Sequence, residues 1–257
     1  MNERQDQEEL FCLEFEQQFL IDLEVKKFAE RWIPGLFPGK IEQEHVQRYE
    51  LASSFVNNKT VLDIACGCGF GSYCLAEKGN AKSITGCDIN ESAVMYGNYK
   101  YAHEKINRVV GDAEKFLQPG SFDVIISFET IEHLKNYRNF LENMSLSLKE
   151  NGIFFVSTPV VLKTTKENQN PHHFIEWSFA DFQSMIAKYF SIKEIYIQDI
   201  ELQSKPSIFK RIYRKIKNQV IMPTVGNNEA SIIEKYTGQY PANKIAGGFQ
   251  LLVCTKK

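Results

Sequence analysis

The sequence lacks a long hydrophobic run and lacks an excess of charge of either sign. No apolar stretch among its 257 residues approaches the ~20 residues that a membrane-spanning helix needs. Residues 1–9 are polar and acidic, without the apolar core of a secretion signal. A net charge of −2 excludes a chain that binds polyanions through its charge as a whole. We therefore expect a soluble cytoplasmic protein and leave open peripheral contact with the inner face of the membrane.

The sequence also lacks the ligand spacing of a structural zinc site. Of the six cysteines, four lie between positions 66 and 87, but no second pair or suitably spaced histidines accompany the Cys66-x-Cys68 pair. We expect these thiols to be reduced and buried around the glycine-rich loop that they flank.

What is present is an alternation of apolar strand segments with helical segments. Strand segments are predicted at 60–65, 83–87, 107–110, 122–128, 152–157, 191–200 and 249–255. Helices are expected between most of them, which predicts a doubly wound, mostly parallel α/β sheet with helices on both faces. The chain length suits a single domain, residues 1–257.

Within that domain four regions are predicted. Residues 1–56 form an N-terminal helical region, with helices over 8–30 and 41–56, and residues 57–200 form the cofactor-binding core. Residues 201–246 interrupt the alternation as an insertion, or lid, and residues 247–257 hold the last strand. The insertion carries a basic stretch, 205–217, with apolar residues at helical spacing. It is read as an amphipathic lid helix or as a contact for an anionic membrane or for phosphates.

Acidic and glycine residues follow the first three strands. Asp63 lies in the first strand, Gly67, Gly69 and Gly71 follow it, and Asp88 ends the second strand. Such a site at the carboxyl ends of parallel strands fits a dinucleotide or S-adenosylmethionine. Asp63 suits a cationic ligand better than a pyrophosphate, and Asp112 after the third strand suits an adenine amino group. Both favour S-adenosylmethionine.

The successive segments VLDIACGCGFGSYCLA, GCDIN, GDAEKF, FDVIISFETIEHL and LKENGIFFVSTP resemble, in order and spacing, those of class I S-adenosylmethionine-dependent methyltransferases. The resemblance covers about residues 45–200 and implies a Rossmann-like seven-stranded sheet whose last strand is antiparallel. It also implies a set of cofactor-binding residues: Asp63, Cys66, Gly67 and Gly69 for the methionine part, Asp88 for the ribose, Ile89, Asp112 and Ala113 for the adenine, and Phe128 beside them. Cys68 departs from the family pattern, in which a polar or acidic residue is common there.

A second polar group follows the fourth strand. Glu129, Glu132 and His133 form an E-x-x-E-H motif, and a histidine pair at 172–173 follows the fifth strand. Two carboxylates and two imidazoles suit Mg²⁺ or Mn²⁺, and a divalent ion lowers the pKa of an attacking hydroxyl. The motif resembles the metal site of small-RNA 2′-O-methyltransferases, which implies Glu129, Glu132, His133 and His173 as ligands. Glu132 and His133 are the predicted catalytic residues.

Several interpretations of this group stay open. E-x-x-E-H also resembles ubiquinone-pathway O-methyltransferases, and the segment NPHHFIEW resembles bacterial methyltransferases that modify sugars of polysaccharides or glycolipids. The favoured acceptor is therefore a hydroxyl of a glycan or related small molecule, free or lipid-linked, in polysaccharide biosynthesis. The alternatives are an RNA 2′-O-methyltransferase, which a pI of about 6.3 disfavours, a metal-free enzyme with His133 as general base, and a non-catalytic cofactor-binding module.

Overall fold

The computed structural model describes residues 32–34, 39–167, 170–203 and 231–257. The predicted helix at 8–30 and the basic stretch at 205–217 lie outside the described residues. Of the helices in these four ranges, none has both the length and the apolar character needed to cross a membrane. Five of the six cysteines are described, and all five are buried, as expected.

Five parallel strands form one half of the sheet, in the order β3-β2-β1-β4-β5. Their bounds are Thr60–Ile64 for β1, Ser83–Asp88 for β2, Ile106–Val110 for β3, Phe122–Ser127 for β4 and Leu148–Val161 for β5. The helices that connect or precede them are α1 at Lys40–Ser53, α2 at Phe70–Glu77, α3 at Glu91–Lys100 and α4 at Tyr137–Ser147. The strand order reverses on the two sides of β1, and this reversal creates a crevice at its carboxyl end.

The other half of the sheet contains antiparallel pairs. The short β6 (Trp177–Ser178) and α5 (Phe179–Ile186) precede β7 (Phe190–Leu202), β8 (Ile233–Lys235) and β9 (Ile245–Lys256). The last strand, β9, lies between β5 and β7 and is antiparallel to both, as predicted.

The predicted count of seven strands is too low, because the described residues alone form a sheet of nine strands. The additional strands are β6, which pairs with the end of β5, and β8, which pairs with β7 inside the predicted insertion. Both are only two or three residues long, too short for a periodicity to reveal them. Strand β7 continues to Leu202 and β9 begins at Ile245, so each strand extends two residues into the predicted insertion at 201–246.

Alternate residues of the central strands enter two separate cores. Leu62 and Ile125 pack on one face of the sheet with residues of α4 and α5, whereas Val61 and Val124 pack on the other face with residues of α1 and α2. This follows from the two-residue period of a strand whose faces are both covered. Helix α1 therefore covers the sheet beside the carboxyl end of β1, next to the crevice.

Candidate active site

The loop after β1 adopts a sequence of left-handed conformations. The φ angle is 60° at Ala65, 58° at Gly67 and 82° at Gly69, which is the residue before α2. The Cys66 N–H donates to the Cys87 carbonyl at 3.0 Å, which ties the loop to β2. Glycine adopts positive φ without the steric cost of a Cβ atom, so the chain turns sharply here and exposes backbone groups at the N-terminus of α2.

Asp88 holds this loop from the end of β2. Its carboxylate accepts hydrogen bonds from the Gly67 N–H at 2.8 Å and from the Asn90 N–H at 2.9 Å. The side chain is only 4% exposed, and Asn90 in turn caps α3 by accepting from the Ala93 N–H at 3.0 Å. The predicted ribose-binding residue is thus also a fixed part of the loop.

Asp63 lies behind the loop. It is 1% exposed and accepts hydrogen bonds from the Tyr49 hydroxyl at 3.0 Å and the Ser72 hydroxyl at 2.6 Å. Burial raises the pKa of Asp63 to about 6, against the opposing effects of these two hydrogen bonds and of the Arg108 charge. Asp63 is absent from the described residues that line the cavity. Its contacts join β1 to α1 and α2, and its predicted contact with the methionine part stays a prediction.

A cavity of about 650 Å³ opens beside the loop. It is lined by the other predicted cofactor-binding residues, which are Cys66, Gly67, Gly69, Asp88, Ile89, Asp112, Ala113 and Phe128. Ile89 is 70% exposed, which leaves its side chain available to an incoming ring. Asp112 accepts from the Glu114 N–H and pairs with Lys115, and the hydrogen bond from Lys115 is the main cause of its lowered pKa.

At the other end of the same cavity lies the E-x-x-E-H segment. Glu129 has a φ of 49°, and both its N–H and its carboxylate bond the Ser157 hydroxyl of β5, at 3.2 Å and 2.8 Å. A non-glycine residue in this region is strained by ~1–2 kcal/mol, and the Ser157 contacts hold it there. The next residues form a 3₁₀ turn, Ile131–His133, instead of the start of an α-helix.

Glu129, Glu132 and His133 differ in how far they lie from the cavity. Glu129 and His133 line the cavity, whereas Glu132 is 1% exposed and accepts from the Thr158 hydroxyl at 3.1 Å. Burial raises the pKa of Glu132 well above its ordinary value, and the Glu129 charge raises it further. The ring of His133 contacts that of His173 edge-to-face, with centroids 4.8 Å apart.

Three of the four predicted metal ligands lie together. One ligand atom each of Glu132, His133 and His173 lies within 4.8 Å of the others, and Glu129 is not part of this group. The His173 ring is held from both sides, by the Glu176 carboxylate at 2.8 Å and the Asn170 side-chain amide at 3.1 Å. Two imidazoles and a carboxylate suit a divalent ion. Among the described residues, the cavity wall includes His172 and does not include His173. The His172 carbonyl oxygen lies 3.2 Å from His133 Nδ1.

Sequence reasoning missed the contribution of the N-terminal region to this cavity. Trp32 stacks on His45 with ring centroids 4.9 Å apart, and both line the cavity together with Tyr49 of α1. Burial, followed by the Arg48 charge, lowers the pKa of His45 to about 3, so its ring is neutral. The four-residue spacing of His45 and Tyr49 places them on one helix face and was the one available signal.

Comparison with known proteins identifies related sequences. The family described as "Methyltransferase domain" matches residues 55–220. A probable S-adenosylmethionine-dependent methyltransferase of Mycolicibacterium smegmatis is 29% identical over 162 residues, which are 62% of this chain and 62% of that protein. The ubiquinone biosynthesis O-methyltransferase of Rickettsia conorii is 32% identical over 112 residues, 43% of this chain and 38% of that protein. The chain thus matches at most about three fifths of the length of these relatives.

A solved structure shows the same fold. The N-methyltransferase NodS of Bradyrhizobium japonicum, in complex with S-adenosyl-L-homocysteine, superposes with a TM-score of 0.58 at 15% identity, covering 93% of this chain and 97% of that one. The family match extends over more than half of the 257 residues, from the strand before the glycine loop to beyond β7. The chain therefore belongs to the methyltransferase domain family.

Proposed function

We propose that the protein transfers a methyl group from S-adenosylmethionine to a hydroxyl oxygen of a glycan or related polyhydroxylated small molecule, free or lipid-linked. The observation that carries the proposal is a cavity whose wall contains both the glycine loop with Asp88 and the segment with Glu129 and His133. Donor and acceptor would lie side by side in it. The similarity to ubiquinone biosynthesis O-methyltransferases supports oxygen as the nucleophile.

The glycine-loop end suits the donor. The Asp88 carboxylate, which two backbone N–H groups orient, would accept from ribose hydroxyls. Exposed Ile89 and the Asp112–Ala113 backbone form a wall for the adenine. The bound cofactor supplies a methyl group on a positively charged sulfur, whose departure as a neutral thioether needs no protonation.

The other end suits the acceptor. The acceptor oxygen would attack the methyl carbon as the carbon–sulfur bond breaks. In the metal-free mechanism the hydroxyl proton would pass to His133, which lines the cavity. Most of the rate would come from holding the two reactants in line. Glu129 accepts from neighbouring hydroxyls and fixes which one faces the methyl group.

The donor set of Glu132, His133 and His173 also fits a divalent ion. Bound there, Mg²⁺ or Mn²⁺ would lower the pKa of the acceptor hydroxyl and orient it. The alternative is that His133 acts as a general base without metal, and the two mechanisms differ in their response to chelation.

The first test is ligand binding. Calorimetry should detect S-adenosylhomocysteine and not NAD, and saturable NAD binding without any for S-adenosylhomocysteine would refute the proposal. Methylation assays should then compare simple glycosides, nucleotide sugars, catechols and RNA, with the methylated atom located by mass spectrometry. Methyl transfer to RNA alone would show that the acceptor is RNA and would refute the proposed glycan or small-molecule acceptor.

The second test separates chemistry from binding. His133→Asn should abolish turnover while leaving S-adenosylhomocysteine affinity nearly unchanged, because His133 serves the acceptor. The matched control is His103→Asn, since His103 pairs with Glu77 and does not line the cavity in the part of the chain described. Loss of activity in excess EDTA, restored by Mg²⁺ or Mn²⁺, supports metal assistance, and full activity in EDTA refutes it.

A further inference from the structure

A buried arginine reaches the glycine loop from two strands away. Arg108 lies in β3, the edge strand, and pairs with Gly86 of β2. Its side chain is 7% exposed and crosses β2 to the loop that follows β1. There one terminal nitrogen, Nη2, donates to the Gly69 carbonyl at 3.2 Å and to the Tyr101 carbonyl at 2.9 Å.

Glycines of three different elements make room for this side chain. A Cβ atom on Gly69 would lie 2.5 Å from Arg108 Nε, one on Gly97 of α3 would lie 3.0 Å from the same atom, and one on Gly86 would lie 3.3 Å from Arg108 Cγ. Separations of this size force a neighbour to shift. The loop, β2 and α3 are thus all shaped around the arginine.

The arginine is also a buried positive charge beneath the loop. Burial lowers its pKa, although the charge stays favourable to the nearby Asp63. Taking a guanidinium out of water costs several kcal/mol unless it is hydrogen-bonded and paired. Its contact with the Gly69 carbonyl offsets part of that cost only while Gly69 keeps its left-handed conformation, so the arginine and the loop conformation stabilise each other.

We propose that Arg108 is a positioning residue for the donor, which holds the Gly67–Gly69 backbone in the conformation that binds the amino-acid part of S-adenosylmethionine. It acts through Gly69 and contacts neither reactant. This inference rests on the proposed function, because it assigns the loop to that part of the cofactor. It predicts that the arginine governs affinity for the amino-acid part more strongly than affinity for the adenosine part.

The test compares two ligands that differ in that part. S-adenosylhomocysteine carries the amino acid, and methylthioadenosine lacks it. In Arg108→Met the ratio of their affinities should fall roughly tenfold, the scale of one charge-assisted hydrogen bond, while methylthioadenosine affinity changes little. Arg138→Met, at an exposed position of α4, is the matched control and should leave the ratio unchanged.

The ratio distinguishes positioning from a merely structural role. If Arg108→Met lowers the melting temperature and leaves the ratio unchanged, the inference is wrong. If that variant does not fold, Arg108→Lys carries the test, because its shorter ammonium group reaches the Gly69 carbonyl less well. A loss of about threefold in the ratio is expected for it, and no loss overturns the inference. Failure of the parent protein to bind S-adenosylhomocysteine would instead refute the proposed function.

Discussion

Replacement of Asp88 by asparagine is the sharpest test of the donor end. The two side chains have the same shape, but the amide offers one acceptor oxygen where the carboxylate offers two. In the structure each carboxylate oxygen already serves one backbone donor, with Oδ2 accepting from Gly67 and Oδ1 from Asn90. Whichever way the amide turns, one of these N–H groups faces an NH₂ group.

The size of the effect follows from burial. Asp88 is 4% exposed, so water can hardly replace the lost acceptor. A buried donor left without a partner costs about 1–3 kcal/mol. The same substitution removes an oxygen that would accept from the ribose, so S-adenosylhomocysteine affinity should fall roughly tenfold to a hundredfold.

Calorimetric titration together with thermal unfolding measures both effects. The matched control is Asp123→Asn, because Asp123 also accepts from a backbone donor, the Thr60 N–H at 2.9 Å, but lies at the opposite end of the strands. Asp123→Asn should lower stability and leave affinity within about threefold. A folded Asp88→Asn protein whose affinity also stays within that range would refute the assignment of the donor site.

Two further predictions concern α1. Burial, the hydrogen bond with Asp199 and the charge of that residue raise the pKa of Glu44 from 4.5 to about 7, although Arg48 opposes the shift. The folded state therefore holds a proton that the unfolded state releases, and the free energy of unfolding should fall by on the order of 2–3 kcal/mol as pH rises from about 4.5 through 7. Denaturant unfolding at pH 5 and 8 should show a loss in the parent and in Glu104→Gln, an exposed control, and a loss smaller by this amount in Glu44→Gln. A remainder is expected in that variant because Asp63 and Glu132 also have raised pKa values. An equal loss in all three proteins contradicts the prediction. Gly71→Ala should destabilise the protein by at least ~2 kcal/mol, because the new Cβ would lie 1.9 Å from the Tyr49 ring. The control is Gly120→Ala, whose Cβ would have nothing within 4 Å and which should cost only the ~1–2 kcal/mol of left-handed strain. Similar losses of unfolding free energy in the two variants would show that Tyr49 moves aside freely.

The parallel strands and the glycine loop could be predicted from the sequence because their signals are local. Short apolar runs punctuated by glycine and aspartate indicate strands and turns within a few residues. The antiparallel last strand came from the family resemblance, and so did the part of the cofactor assigned to most of the cofactor-binding residues. The structure confirms that strand and places all but Asp63 of those residues at one cavity.

Other features could not be predicted because they join distant parts of the chain. Arg108 contacts a carbonyl 39 positions away, and Arg48 contacts Gln198 150 positions away. No local pattern records such pairs, since they depend on which strands become neighbours and on the space between them. The short β8 likewise exists only because β7 offers it an edge.

The sequence by itself determined that this chain makes a glycine loop at the end of a parallel strand, followed along the chain by two acids and a histidine. Only the tertiary structure decided how these groups face one another. It turned Asp63 inward to Tyr49 and Ser72, separated Glu129 from the group of Glu132, His133 and His173, and brought α1 over the cavity. The physical reason is that a side chain's residue type sets its chemistry, whereas its burial and partners are set by the packing of segments far apart in sequence.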